Sequence, residues 1–113
     1  MRRAMLTAVE VGAAHRLDAS DPVLLQETNN TVVWLRPSPV VAKVATRPDA
    51  KLGLRMEHSV ATELAALGAD IAYPLQDAQP VEDRSSGFVV TLWERLDGVD
   101  EEASDRTLSM SLS

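Results

Sequence analysis

The sequence predicts an α+β fold: a five-stranded antiparallel sheet with one major packing helix, an N-terminal helix and the start of a C-terminal helix. Three observations carry this. Short Val- and Leu-rich runs separated by turn-forming residues crowd into positions 22–45; the apolar period then changes to three or four over 51–67; and two further apolar runs follow at 71–75 and 87–93. Of the 113 residues, 45% are hydrophobic and 25% charged, the composition of one globular domain.

In chain order, residues 4–16 place Met5, Val9 and Ala13 at helical spacing, which predicts an amphipathic helix ending near "LDASDP" and a first segment of residues 1–20. "PVLLQ" (22–26), "TVVWLR" (31–36) and "PVVAKVA" (39–45) read as an antiparallel meander, with turns at "ETNN" and "PSP". Between 51 and 67, Leu54, Val60, Ala61, Leu64 and Leu67 define the packing face of a helix that Gly68 stops. "IAYPL" (71–75) and "GFVVTLW" (87–93) are the fourth and fifth predicted strands, joined by the polar "QDAQPVEDRSS", expected to be a mobile loop. The body of the fold is then 21–93, with a linker at 94–100 and a helix start within the acidic 101–113.

Charge and composition exclude several functions. A net charge of −6 with 11 scattered basic residues argues against a nucleic-acid surface, which needs clustered Lys and Arg. Without cysteine there is no disulfide, zinc thiolate or thiol catalysis, which fits a reducing, cytoplasmic location. His15 and His58 are too few and too far apart in sequence to suggest a metal site. "MRRAMLTAVEVGAAHR" has the arginines of a secretory signal, but Glu10 interrupts its short apolar core. No run approaches the roughly 20 apolar residues of a membrane span.

Two charged residues break the apolar pattern. Lys43 stands in the strand "VVAKVA", and an unpaired ammonium there must reach water or meet an anion. Glu57 lies three residues after Leu54 and three before Val60, in the stripe expected to face inward, whereas Glu63 should face solvent. The two are expected to pair. A strand lysine also serves as an edge gatekeeper against aggregation, but the inward Glu57 favours the pair.

With this lysine, this glutamate and the segment "TLWERLDG", residues 23–98 resemble the N-terminal, ATP-binding lobe of the aminoglycoside phosphotransferase family of small-molecule kinases. The pieces that carry the resemblance are "VVAKVA", "EHSVATELAALGADIAYPL" and "GFVVTLWERLDG". It implies that Lys43 holds the α- and β-phosphates of ATP and that Glu57 fixes the lysine. It further implies an apolar slot for adenine at Val41 and Val32, a hinge whose backbone near Glu94 and Leu96 meets the adenine edge, and a nucleotide loop at Thr28, Asn29 and Asn30. The last stretch reads first as a hairpin turn and second as a phosphate cradle, and Trp34 and Trp93 read as packing residues.

The 113 residues contain no His-x-Asp and no Asp-Phe-Gly, the elements that orient the acceptor hydroxyl and hold magnesium in such kinases. The resemblance therefore implies a lobe truncated before its catalytic half, binding Mg-ATP weakly or not at all alone, with no turnover expected. The nucleotide and hinge face, left without its cover, would invite a second chain or self-association. The alternative reading is a non-catalytic α+β interaction module or a non-functional fragment.

Overall fold

The computed structural model describes residues 2–68 and 73–95. Helix α1 (Arg2–Ala14) precedes strands β1 (Val23–Glu27), β2 (Thr31–Trp34) and β3 (Val40–Ala45). Helix α2 (Pro48–Ala66) then leads to β4 (Val81–Glu82) and β5 (Val89–Glu94). The strands form one antiparallel sheet in the order β1-β2-β3-β5-β4. The α+β fold with a five-stranded antiparallel sheet stands as the sequence predicts. No helix among the described residues is long and apolar enough to cross a membrane.

Alternation along the strands sorts side chains onto two faces. Val33, Val40, Ala42, Val44, Val90 and Leu92 turn toward α1 and form the main core. Helix α1 meets them through Ala4, Ala8 and Val11, while Met5 and Val9 pack at its margin and Ala13 is exposed. The buried face is thus rotated by about one residue, or 100°, from the Met5/Val9/Ala13 expectation. The reason is size: Ala4, Ala8 and Gly12 recur every fourth residue, and small side chains let the helix approach closely. A Cβ on Gly12 would stand 2.9 Å from Leu35 Cδ1. The helix closes with a left-handed Arg16 (φ 62), whose N–H donates to Ala13 while that of Leu17 donates to Gly12.

On the opposite face α2 covers one end of the sheet, packing Leu54 on Ala45 and Val89. Pro48 opens this helix, three residues before the expected start, as its fixed φ favours. Its buried residues are Leu54, His58 and Ala61, and the expected inward residues Val60, Leu64 and Leu67 are exposed. The apolar period was right. The expected face holds at Leu54 and Ala61 and fails at Val60, Leu64 and Leu67, because α2 carries two apolar stripes and the sheet takes the one containing His58.

The fourth strand also differs from expectation. Within 71–75, residues 71 and 72 lie outside the described set; Pro74 makes only an isolated bridge to Trp93, and Leu75 N–H donates to Leu92. The paired strand is Val81–Glu82, inside the stretch expected to be a mobile loop, where Ala78 is also buried in the core. A tight turn explains the pairing: Asp83 accepts hydrogen bonds from Ser86 Oγ (2.7 Å), Ser86 N–H (3.0 Å) and Ser85 Oγ (3.0 Å), and Gly87 adopts φ 76. The 94–100 linker is described only at Glu94 and Arg95, and the expected helix in 101–113 lies outside the described residues.

Leu35 is fully buried beneath α1, whereas Leu25 sits half-exposed at an irregularity in the β1–β2 pairing. Leu35→Ala should cost about 2–5 kcal/mol in urea unfolding and Leu25→Ala less than about 1 kcal/mol. The Ser86 hydroxyl, then the Ser86 amide and the Ser85 hydroxyl, hold the Asp83 carboxyl below the usual aspartate value. A lowered folded-state pKa stabilises above the unfolded value and is lost as pH falls through the folded one. The stability advantage over Asp83→Asn should therefore be full above about pH 4 and shrink below it, as read from urea midpoints across pH 2–7.

Candidate functional site

The cleft face of the sheet is built by pairing register. Val32 lies opposite Lys43, Trp34 opposite Val41, Lys43 opposite Thr91 and Val41 opposite Trp93, so these side chains share one face. Val32, Trp34, Val41 and Lys43 are each half-buried, and Trp93 and Thr91 are buried. Val32 and Val41 form an apolar strip beside the lysine.

Lys43 Nζ donates to Glu57 Oε2 at 3.0 Å, pairing β3 with α2 as the sequence predicts. The pair is not interior: the side chains are 27% and 45% exposed. Glu57 sits about 60° around the helix from Leu54, at the margin of the buried stripe. Its carboxylate therefore reaches sideways to the cleft rim instead of into the core. Beneath the ammonium lies the Trp93 ring, 4.7 Å from Nζ to centroid. That ring is fixed by its own Nε1–H donating to Thr91 Oγ1 (2.8 Å) and by a T-shaped contact with the His58 ring at 5.7 Å between centroids. His58 in turn bonds the Ala78 carbonyl through Nε2 at 3.1 Å. Lys43 is thus held from two sides at the edge of an accessible cleft.

The turn at 28–30 faces the start of α2 across an open cleft of about 400 Å³, lined by Asn29, Asn30, Arg47, Asp49, Gly53 and Glu57 among others. Thr28 N–H donates to the Asn30 carbonyl, and Thr28 Oγ1 accepts from Gln26. Asn30 Oδ1 is buried without a hydrogen-bond partner. Arg47 occupies the N-cap of α2 but makes no side-chain cap; it donates to Asn29 Oδ1 at 3.3 Å and ties the turn to the helix.

Sequence reasoning missed Arg47, Trp93 and His58 as parts of this arrangement. An arginine where Ser, Thr, Asp or Asn is the usual cap is a readable signal. The Trp93 contact needed the β3–β5 register, and His58 looked polar in a helix whose apolar stripe ran elsewhere. At the other end of the strip, the Arg95 and Arg36 guanidinium carbons lie 4.0 and 5.4 Å from the Trp34 ring centroid. At the expected hinge, the Glu94 N–H donates to the Tyr73 carbonyl and is taken out of the set that could meet an adenine edge. Leu96 lies outside the described residues.

Because the Lys43–Glu57 pair is half-exposed, its coupling energy in a Lys43→Met/Glu57→Gln double-mutant cycle should be about 0.2–1 kcal/mol by urea unfolding, not the 3–5 kcal/mol cost of breaking a buried pair. No model of a known protein family matches the chain, and no curated protein matches it either. What the molecule does is read from its own residues.

Proposed function

We propose that this chain is an ATP-binding lobe of a small-molecule phosphotransferase similar to the aminoglycoside phosphotransferases. The observation that carries the reading is the Lys43 ammonium, held by Glu57 beside the strip of Val32 and Val41. A third-strand lysine paired with a helix glutamate is the arrangement that grips the α- and β-phosphates in kinase lobes. The β2–β3 register puts the lysine and the strip on one face of the sheet, and the Lys43–Glu57 bond brings the helix glutamate to it.

The residues present fit the phosphates and adenine of ATP in kind. Lys43 supplies a point charge for phosphate oxygens, and Glu57 keeps that charge at the cleft rim. Val32 and Val41 offer an apolar surface to an adenine face. The turn of Thr28, Asn29 and Asn30 adds polar donors near the phosphate end, and Arg47, bonded to Asn29, brings a second cation. When bound, ATP supplies an activated γ-phosphoryl group. In the proposed reaction an acceptor hydroxyl forms the new P–O bond, the bond to ADP breaks, and the hydroxyl proton leaves. This chain binds and orients; the groups that would activate the acceptor are not assigned to it.

Calorimetric titration of the purified chain with Mg-ATP tests the reading. Weak binding that drops about tenfold or more in Lys43→Ala, equivalent to about 1.4 kcal/mol, is the expected result. Binding of equal strength in a folded Lys43→Ala chain would overturn it, and so would the absence of binding by the folded wild type.

A further inference from the structure

Five of the seven large hydrophobic residues that the described structure leaves exposed belong to α2 and its C-cap: Leu52, Met56, Val60, Leu64 and Leu67, between 39% and 82% exposed. The first four recur every four residues and so form a single ridge along the helix, about 145° around from the stripe of Leu54, His58 and Ala61. Together they present on the order of 500 Å² of apolar surface, at the upper end of the largest patch on an ordinary monomer. Gly53 lies within the same face. A Cβ there would meet nothing within 4 Å, and the glycine stands open between the ridge and the cleft that faces the 28–30 turn.

We propose that this face is a dimer interface and that its occupant is α2 of a second copy, packed antiparallel about a two-fold axis at Val60. Area is the first argument: one ridge supplies more than half of the roughly 800 Å² that each partner of a stable interface buries. Shape is the second. Two identical ridges of four-residue spacing interdigitate at a crossing angle of about −50° with axes 8–10 Å apart. An axis at Val60 sets Met56 against Leu64 of the other copy and seats Leu67, the most exposed of the five, over the open Gly53.

Charge gives a third argument. Arg55 in the first half of α2 and Glu63 in the second lie on the same side of the ridge, and antiparallel pairing brings them together twice. Arg55 reaches Glu82 only at 3.5 Å within its own chain. A border of both signs favours neither a strongly basic nor a strongly acidic foreign partner, whereas a two-fold axis satisfies it with one surface. The interface does not depend on the nucleotide reading, and it meets the cleft at Gly53, which borders both.

Sedimentation equilibrium across about 1–500 μM tests this, with circular dichroism to verify folding. The wild type should dimerise in that range, and Val60→Glu or Met56→Glu, each at an exposed position, should shift dissociation at least tenfold toward monomer. The chain has no cysteine, so Val60→Cys should oxidise to a disulfide-linked dimer while Ala13→Cys, exposed on α1, should not. A wild type that stays monomeric overturns the proposal, whatever else it binds. A dimer that persists in both glutamate variants, or that links equally through position 13, also overturns it.

Discussion

The six-residue antiparallel register between β3 and β5 is the constraint on which the rest depends. It sets Ala42 beside Leu92 and Val44 beside Val90 under α1, and on the other face it sets Lys43 beside Thr91 and Val41 beside Trp93. A slip of one residue would exchange the faces, placing an ammonium under α1 and the core valines in the cleft. The apolar face therefore enforces the polar one. Lys43 stands at the cleft because its neighbours on either side are required in the core.

The sheet's margins follow the same economy. β1 is irregular between Leu24 and Gln26 and ends in Gln26 and Glu27, and β4 is two residues long. Bulged, polar or very short edges resist the addition of further strands. Helix α2 is different. It buries Leu54, His58 and Ala61 on the sheet side and keeps a second apolar ridge, so association through a helix face is favoured where association through strand edges is not.

Most of the fold was legible because short strands between turn residues are a local signal. β1, β2, β3 and β5 fall within two residues of their expected ends, and the Lys43–Glu57 pair could be read from two violations of apolar pattern. What could not be read was which of two equally periodic faces a helix would bury. On α1 the small residues Ala4, Ala8 and Gly12 decided it, by allowing close approach instead of by hydrophobicity. On α2 a histidine took a core position because the Ala78 carbonyl and the T-shaped contact with Trp93 accommodate it, contacts made 20 and 35 residues along the chain. β4 escaped for a related reason: two residues carry no period, and its turn is held by side-chain hydrogen bonds to Asp83.

The Trp93 ring beneath Lys43 gives the molecule an optical character of its own. Indole emission responds to nearby charge, and here the charge is an ammonium 4.7 Å from the centre of a buried ring. Anything that draws that ammonium toward an anion in the cleft alters the field on the indole without touching it. Trp34, the other tryptophan, has two guanidiniums near its ring and answers to a different neighbourhood. The two indoles, which flank Val41 across the sheet, thus answer to different charges, one to the lysine and one to the arginines.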